Sequence, residues 1–165
     1  MFERVVLGVD PGVASTGLAA VGGGRRRAEV IWATTVRTPA GAPEAQRLRS
    51  IASAVRDAIA THRPEALAIE RLLWGRNTGS AMGVARASGA VMVAGAEAGI
   101  PVHEYAPLEV KMAITGDGNA GKQQVRRSLA RIHRVEGVPR QPDAADAAAV
   151  ALCHLHRAPL AEAVR

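Results

Sequence analysis

From Arg4 to Gly12 the chain reads Arg-Val-Val-Leu-Gly-Val-Asp-Pro-Gly, and this run constrains the fold more than any other. Val5 to Val9 form a short apolar, Val-rich segment, the pattern of a buried strand. Pro11 lacks the N–H that a ladder needs and Gly12 follows it, so the strand stops there. It delivers one carboxylate, Asp10, at its C-terminal end. An ionised carboxylate buried there is costly unless a cation or hydrogen-bond donors meet it. An Asp before Pro-Gly also initiates turns. The cation reading gains weight because three further carboxylates, distant in sequence, occupy comparable positions.

The chain beyond this run predicts an α/β fold with a mixed five-stranded sheet flanked by helices. Residues 16–21 and 29–35 read as strands joined by Gly22-Gly23-Gly24-Arg25-Arg26-Arg27. That triple Arg is either a phosphate contact or a solvated hairpin tip. Residues 43–61 have helical spacing, with Leu48, Ile51, Ala52, Val55 and Ile59 on one face, and Arg63-Pro64 ends the helix. Residues 66–70 form a fourth apolar strand ending in one acid, Glu70. A loop over 71–78 carries Leu72, Leu73, Trp74, Arg76 and Asn77. A long small-residue helix over 79–98 comes next, with Gly99 as its C-terminal signal. The remaining elements are a strand over 100–105, a short helix over 107–114, a flexible loop over 115–121 and a helix from Lys122 to about His133. The last helix opens at Pro142, a residue suited to the first helical position. Asp143 and Asp146 lie three apart on one face of its first turn, where the helix dipole favours their ionised forms.

With 165 residues and no linker or repeat, residues 1–165 read as one domain. Aromatic residues are only 2% of the chain, so its core must be built from Ala, Val, Leu and Ile. The formal net charge of +6 favours a polyanionic partner such as nucleic acid. Only two of the 21 cationic residues are lysine, Lys111 and Lys122. Cys153 is the single cysteine, which excludes an intrachain disulfide and fits a reducing compartment. No signal peptide or membrane-length apolar run is visible, so a cytoplasmic protein with no membrane partner is expected. His154 and His156 read as surface or partly buried residues rather than metal ligands. Met82 and Met92 read as core or interface residues, and Cys153 as a small buried hydrophobe.

Brought together in space, Asp10, Glu70, Asp143 and Asp146 would repel one another unless divalent cations bound among them. All-oxygen ligands suit hard ions, Mg²⁺ or Mn²⁺, rather than zinc. Two such ions roughly 3.5–4 Å apart stabilise the attacking and leaving oxygens of phosphodiester hydrolysis.

Gly8-Val9-Asp10-Pro11-Gly12 with Thr16-Gly17, Ala68-Ile69-Glu70, and Asp143-Ala144-Ala145-Asp146-Ala147 resemble the RuvC family of Holliday-junction resolvases. Val110-Lys111 and the run from Gly118 to Val125 are similar to that family's basic segment, so the likeness spans almost the whole chain. The resemblance implies an RNase H-like fold and a homodimer that nicks four-way junction DNA in pairs. It also implies an acidic tetrad of Asp10, Glu70, Asp143 and Asp146, with two Mg²⁺ per subunit and Mn²⁺ as a substitute. Lys111 and Lys122 would then lie near the scissile phosphates, with Lys122 catalytic. Leu73, Trp74, Arg76 and Asn77 would touch DNA, and the branch-migration helicase complex of RuvA and RuvB would be a partner. The family carries a Phe three residues beyond this Glu as a junction wedge. Here Leu73 stands at that position and Trp74 follows, so either could be the wedge. Met82, Ala85, Gly89 and Val93 on the helix over 79–98 are the expected dimer stripe, the alternative being core.

Other readings are an actin-like or sugar-kinase ATPase, an RNA-processing nuclease of similar fold, and a basic junction-binding module. The first needs a second lobe for which the length leaves no room. The last has no use for four placed acids.

Overall fold

The computed structural model describes residues 2, 4–23, 27–72 and 78–157. Five strands, β1 (Arg4–Asp10), β2 (Ser15–Gly23), β3 (Ala28–Arg37), β4 (Ala66–Glu70) and β5 (Val102–Tyr105), form one sheet in the order β3-β2-β1-β4-β5. β1 pairs antiparallel with β2 and parallel with β4, and β4 pairs parallel with β5. The helices are α1 (Glu44–His62), α2 (Thr78–Glu97), α3 (Pro107–Thr115), α4 (Lys122–Arg131) and α5 (Pro142–Arg157). The mixed sheet flanked by helices is the α/β architecture read from the sequence.

β1 is central and covered on both faces, which is why its sequence is continuously apolar rather than alternating. Leu7 and Val9 join Leu18, Ile51, Val55, Leu67, Ile69 and Val91 beneath α1 and α2. Val6 joins Ala147, Ala148, Ala151 and Leu152 of α5 on the other face. There the helix lies almost against the strand backbone. A β-carbon added at Gly17 would sit 1.9 Å from the Asp143 carbonyl oxygen, and one at Gly8 would sit 2.0 Å from that of Ala147. Asp143 and Ala147 are one helical turn apart, so two glycines define the line along which α5 crosses β1 and β2.

Several boundaries differ from the sequence reading. β5 begins at Val102 rather than residue 100, because Pro101 has no N–H to donate; its carbonyl accepts from Leu67 N at 2.9 Å. α4 stops at Arg131 instead of His133, and Arg134 follows in a left-handed conformation with φ 51°. Residues 115–121 form a hydrogen-bonded turn rather than a flexible loop: Asp117 Oδ1 accepts from Asn119 N at 2.9 Å, and Ala120 is buried. In α2, Met82 and Val93 are 48% and 54% exposed, so the stripe expected to be core or interface faces outward from this chain. Arg27 pairs with Glu29 at 2.7 Å, as a solvated hairpin tip would; Arg25 and Arg26 lie outside the described residues.

Candidate active site

Val9 stands opposite Ile69 in the parallel β1–β4 pair, so the residues that follow, Asp10 and Glu70, emerge at the same sheet edge. This is the carboxyl end of neighbouring parallel strands, where α/β sheets bind ligands. Asp10 also pairs with Gly17 of β2, and Gly17 backs directly onto the main chain of Asp143. The glycine that lets α5 approach therefore also carries its first turn to Asp10. Carboxylate oxygens of Asp10, Asp143 and Asp146 lie within 4.8 Å of one another. Glu70 lines a cavity of about 140 Å³ with Asp10, Asp146, Lys111 and Lys122, over apolar walls from Val110, Val125 and Ala149.

The charges in this site act on one another. Burial pushes the Asp10 carboxyl up to about 7, and repulsion from Glu70, Asp146 and Asp143 adds to it, with Lys122 opposing. Burial and the Asp146 charge likewise raise the Glu70 carboxyl, against Lys122 and Lys111. Lys122 Nζ donates to Asp146 Oδ2 at 2.6 Å, and this bond raises the ammonium above its ordinary range. One lysine thus offsets part of an acidic excess that remains uncompensated. A divalent cation would supply the missing charge, and the all-oxygen donor set suits a hard ion such as Mg²⁺ or Mn²⁺. The residues present fit such an ion.

Six of the sequence-predicted site residues are therefore brought together: Asp10, Glu70, Asp143, Asp146, Lys111 and Lys122. The predicted DNA contacts Leu73, Trp74, Arg76 and Asn77 lie outside the described residues. The sequence reading missed Ser15, whose hydroxyl donates to Asp143 Oδ2. Its signal was a hydroxyl opening the strand beside an acid-terminated one. The reading of His154 as a surface or partly buried residue needs correction as well, whereas His156 lies at the surface as read. His154 is buried, hydrogen-bonded through Nδ1 to the Tyr105 hydroxyl at 2.7 Å, while His156 is exposed. The apolar surroundings of α5 make burial of His154 possible only because that bond satisfies one ring nitrogen.

A five-stranded RNase H-like sheet with carboxylates gathered at the ends of β1 and β4 defines the class: an α/β fold carrying an acidic, cation-ready centre. Residues 6–154 match the family described as Crossover junction endodeoxyribonuclease RuvC, and the chain belongs to that family. Its members from Mycobacterium avium (strain 104) and Rhodococcus jostii (strain RHA1) are each 47% identical to it. The first match covers 94% of this chain and 83% of the relative, the second 95% and 84%. The solved structure of T. thermophilus RuvC in complex with Holliday junction substrate is similar with a TM-score of 0.88 and 36% identity, covering 96% of this chain and 97% of that one. The yeast mitochondrial Holliday junction resolvase Ydc2 shares the fold, with a TM-score of 0.63 at 11% identity.

Proposed function

We propose that this protein is a metal-dependent endodeoxyribonuclease that resolves four-way DNA junctions by paired, symmetric nicking of two strands in recombination and repair. One observation carries the reading: in a chain of the RuvC family, three carboxylates converge within 4.8 Å and a fourth lines the adjoining cavity. Residues 1–165 act as one nuclease domain. Asp10, Glu70, Asp143 and Asp146 hold the cations, two Mg²⁺ per subunit with Mn²⁺ able to replace them. Bound there, the cations would supply Lewis-acid stabilisation to the attacking and leaving oxygens.

The chain's own groups do the rest. Lys122 presents a compact positive charge beside the acids, suited to a phosphate oxygen, and Lys111 adds a second across the cavity. Val110, Val125 and Ala149 exclude water from one side, strengthening the electrostatics within. Leu73 or Trp74 serves as the wedge at the crossover, with Arg76 and Asn77 beside it on DNA. Base–aromatic stacking worth roughly 1–3 kcal/mol favours Trp74. Symmetric nicking requires two sites facing opposite strands, hence a C2 homodimer. The outward stripe of Met82, Ala85, Gly89 and Val93 supports α2 as its interface. The family likeness supports a branch-migration helicase complex as partner and the cytoplasm as location. No helix among the described residues is long and apolar enough to cross a membrane.

Nicking of a labelled four-way junction and of matched duplex, with Mg²⁺ and with chelator, tests the reading. Wild-type protein is expected to nick the junction in symmetric pairs only when the cation is present. Asp10→Asn and Glu70→Gln should each lose more than the roughly 10–100-fold that an outer-shell change costs, while still binding the junction. Substantial nicking by either folded variant sinks the tetrad. A monomeric mass for active protein by sedimentation sinks the dimer.

A further inference from the structure

Among the clustered acids, Asp143 is distinguished by a neutral partner. Ser15, the first residue of β2, donates its hydroxyl to Asp143 Oδ2. Both ends of this contact stand on pinned backbone. Thr16 Oγ1 accepts from Gly12 N at 3.2 Å and donates to Gly12 O at 2.6 Å, closing the turn between β1 and β2. Thr38 holds the same turn from the end of β3: its hydroxyl donates to Val13 O at 2.5 Å and its N–H to Ala14 O at 3.2 Å. Arg47 Nε donates in turn to Thr38 Oγ1 at 2.8 Å. On the other side, the Asp143 main chain rests on Gly17, with no room for a β-carbon between them.

A carboxylate with one oxygen engaged by a fixed hydroxyl offers a cation its other oxygen. Cations differ in what they accept. Mg²⁺ requires near-ideal octahedral geometry, whereas Ca²⁺ takes 6–8 oxygens and readily accepts both oxygens of one carboxylate. We propose that Ser15 is a positioning residue that restricts Asp143 to single-oxygen ligation and so biases the acidic centre toward a Mg²⁺-sized cation over Ca²⁺. The inference rests on the reading of the four acids as a metal centre. It gives the hydroxyl at the head of β2 a task that the hydrolytic scheme does not otherwise assign.

The test is thermal unfolding of the full chain, without DNA, titrated with Mg²⁺ alone and with Ca²⁺ alone. Half-saturating concentrations are read from the rise in Tm for wild type, Ser15→Ala, Ser15→Val, Ser15→Thr and Asp10→Asn. Val and Thr have nearly the same shape and differ in the hydroxyl, so their comparison separates hydrogen bonding from packing. Ser15→Ala and Ser15→Val should shift the Mg²⁺-to-Ca²⁺ preference toward Ca²⁺ by about tenfold, the scale of outer-shell changes. Ser15→Thr should keep the wild-type preference. In a junction-nicking assay with Mg²⁺, Ca²⁺ should inhibit Ser15→Ala at a correspondingly lower concentration. If hydroxyl-free variants weaken both cations equally, or leave both unchanged, the serine has only a structural role and the inference is overturned. If wild type shows no cation-dependent rise that Asp10→Asn abolishes, the metal centre itself fails, and the inference with it.

Discussion

On one face of the sheet α1 and α2 rest on Leu7, Val9, Leu18, Leu67 and Ile69, and branched side chains fill the space between the layers. On the other, α5 descends onto Gly8 and Gly17 and is itself rich in alanine, with Ala144, Ala145 and the run from Ala147 to Ala149 all buried. The first face is held by interdigitating volume, which can repack when a methyl group is lost. At Gly8 and Gly17 the second is held by near contact of helix and strand main chains, leaving no side chain there to move aside. The acids lie along the second. Asp143 and Asp146 reach Asp10 because no side chain stands between α5 and the strands at Gly8 and Gly17.

The sharpest way to break this contrast is to insert a methyl under α5. Gly17→Ala would force its β-carbon onto the Asp143 carbonyl, and we expect a loss of about 3 kcal/mol or more, the upper end of overpacking. Junction nicking should vanish in whatever protein remains folded. Ile51→Val on the opposite face should cost about 0.5–1.5 kcal/mol and leave nicking unchanged. Urea unfolding alongside a nicking assay measures both. Wild-type nicking by Gly17→Ala would show that the close approach does not position the acids.

A smaller effect separates the two faces by charge. The Asp10 carboxyl, pushed up to about 7, binds protons more tightly in the folded state than when unfolded. Stability of the cation-free protein therefore falls as pH rises from near the ordinary carboxylate value toward 7. Asp10→Asn removes that penalty and should stabilise the cation-free protein by about 2 kcal/mol at pH 8, even as it abolishes nicking. Urea unfolding in chelator checks this. A loss of stability would mean that the ionised carboxylate is already compensated.

The smallest effect lies further along α5. Burial, with repulsion from His103 and Arg4, lowers the His154 imidazole to about 4, while its Nδ1 bonds Tyr105. The unfolded chain then binds the extra proton first, so stability should fall as pH drops from about 6.5 toward 4. We expect about 1 kcal/mol from this group, allowing for its partly solvated neighbours. His154→Gln keeps a partner for the Tyr105 hydroxyl but does not titrate, and should flatten that part of the profile. An unchanged slope would assign the acid sensitivity elsewhere.

Much of the site was legible because local chemistry announces it. A Val-rich run stopped by Pro11 marks a strand that must end at Asp10, and Ala68-Ile69-Glu70 repeats the device. Pro142 marks the start of the helix bearing Asp143 and Asp146, and scarcity makes Lys111 and Lys122 conspicuous. Ser15 escaped notice because a hydroxyl acquires meaning only from what it faces, and Asp143 lies 128 residues away. The outward direction of Met82 and Val93 escaped for a related reason: small residues line α2 on both sides, so periodicity cannot say which side meets the sheet.

The sequence by itself determined where each acid-bearing strand ends and where the acid-bearing helix opens, since strand endings and helix openings depend on residues adjacent in the chain. Tertiary structure alone decided that the acids meet. That required β1 and β4 to pair in parallel, with Val9 opposite Ile69, and α5 to seat on Gly8 and Gly17. It also brought Lys122 to Asp146 and Ser15 to Asp143. Each is a contact between residues far apart in sequence, whose energy exists only once the sheet has closed and the last helix has packed against it.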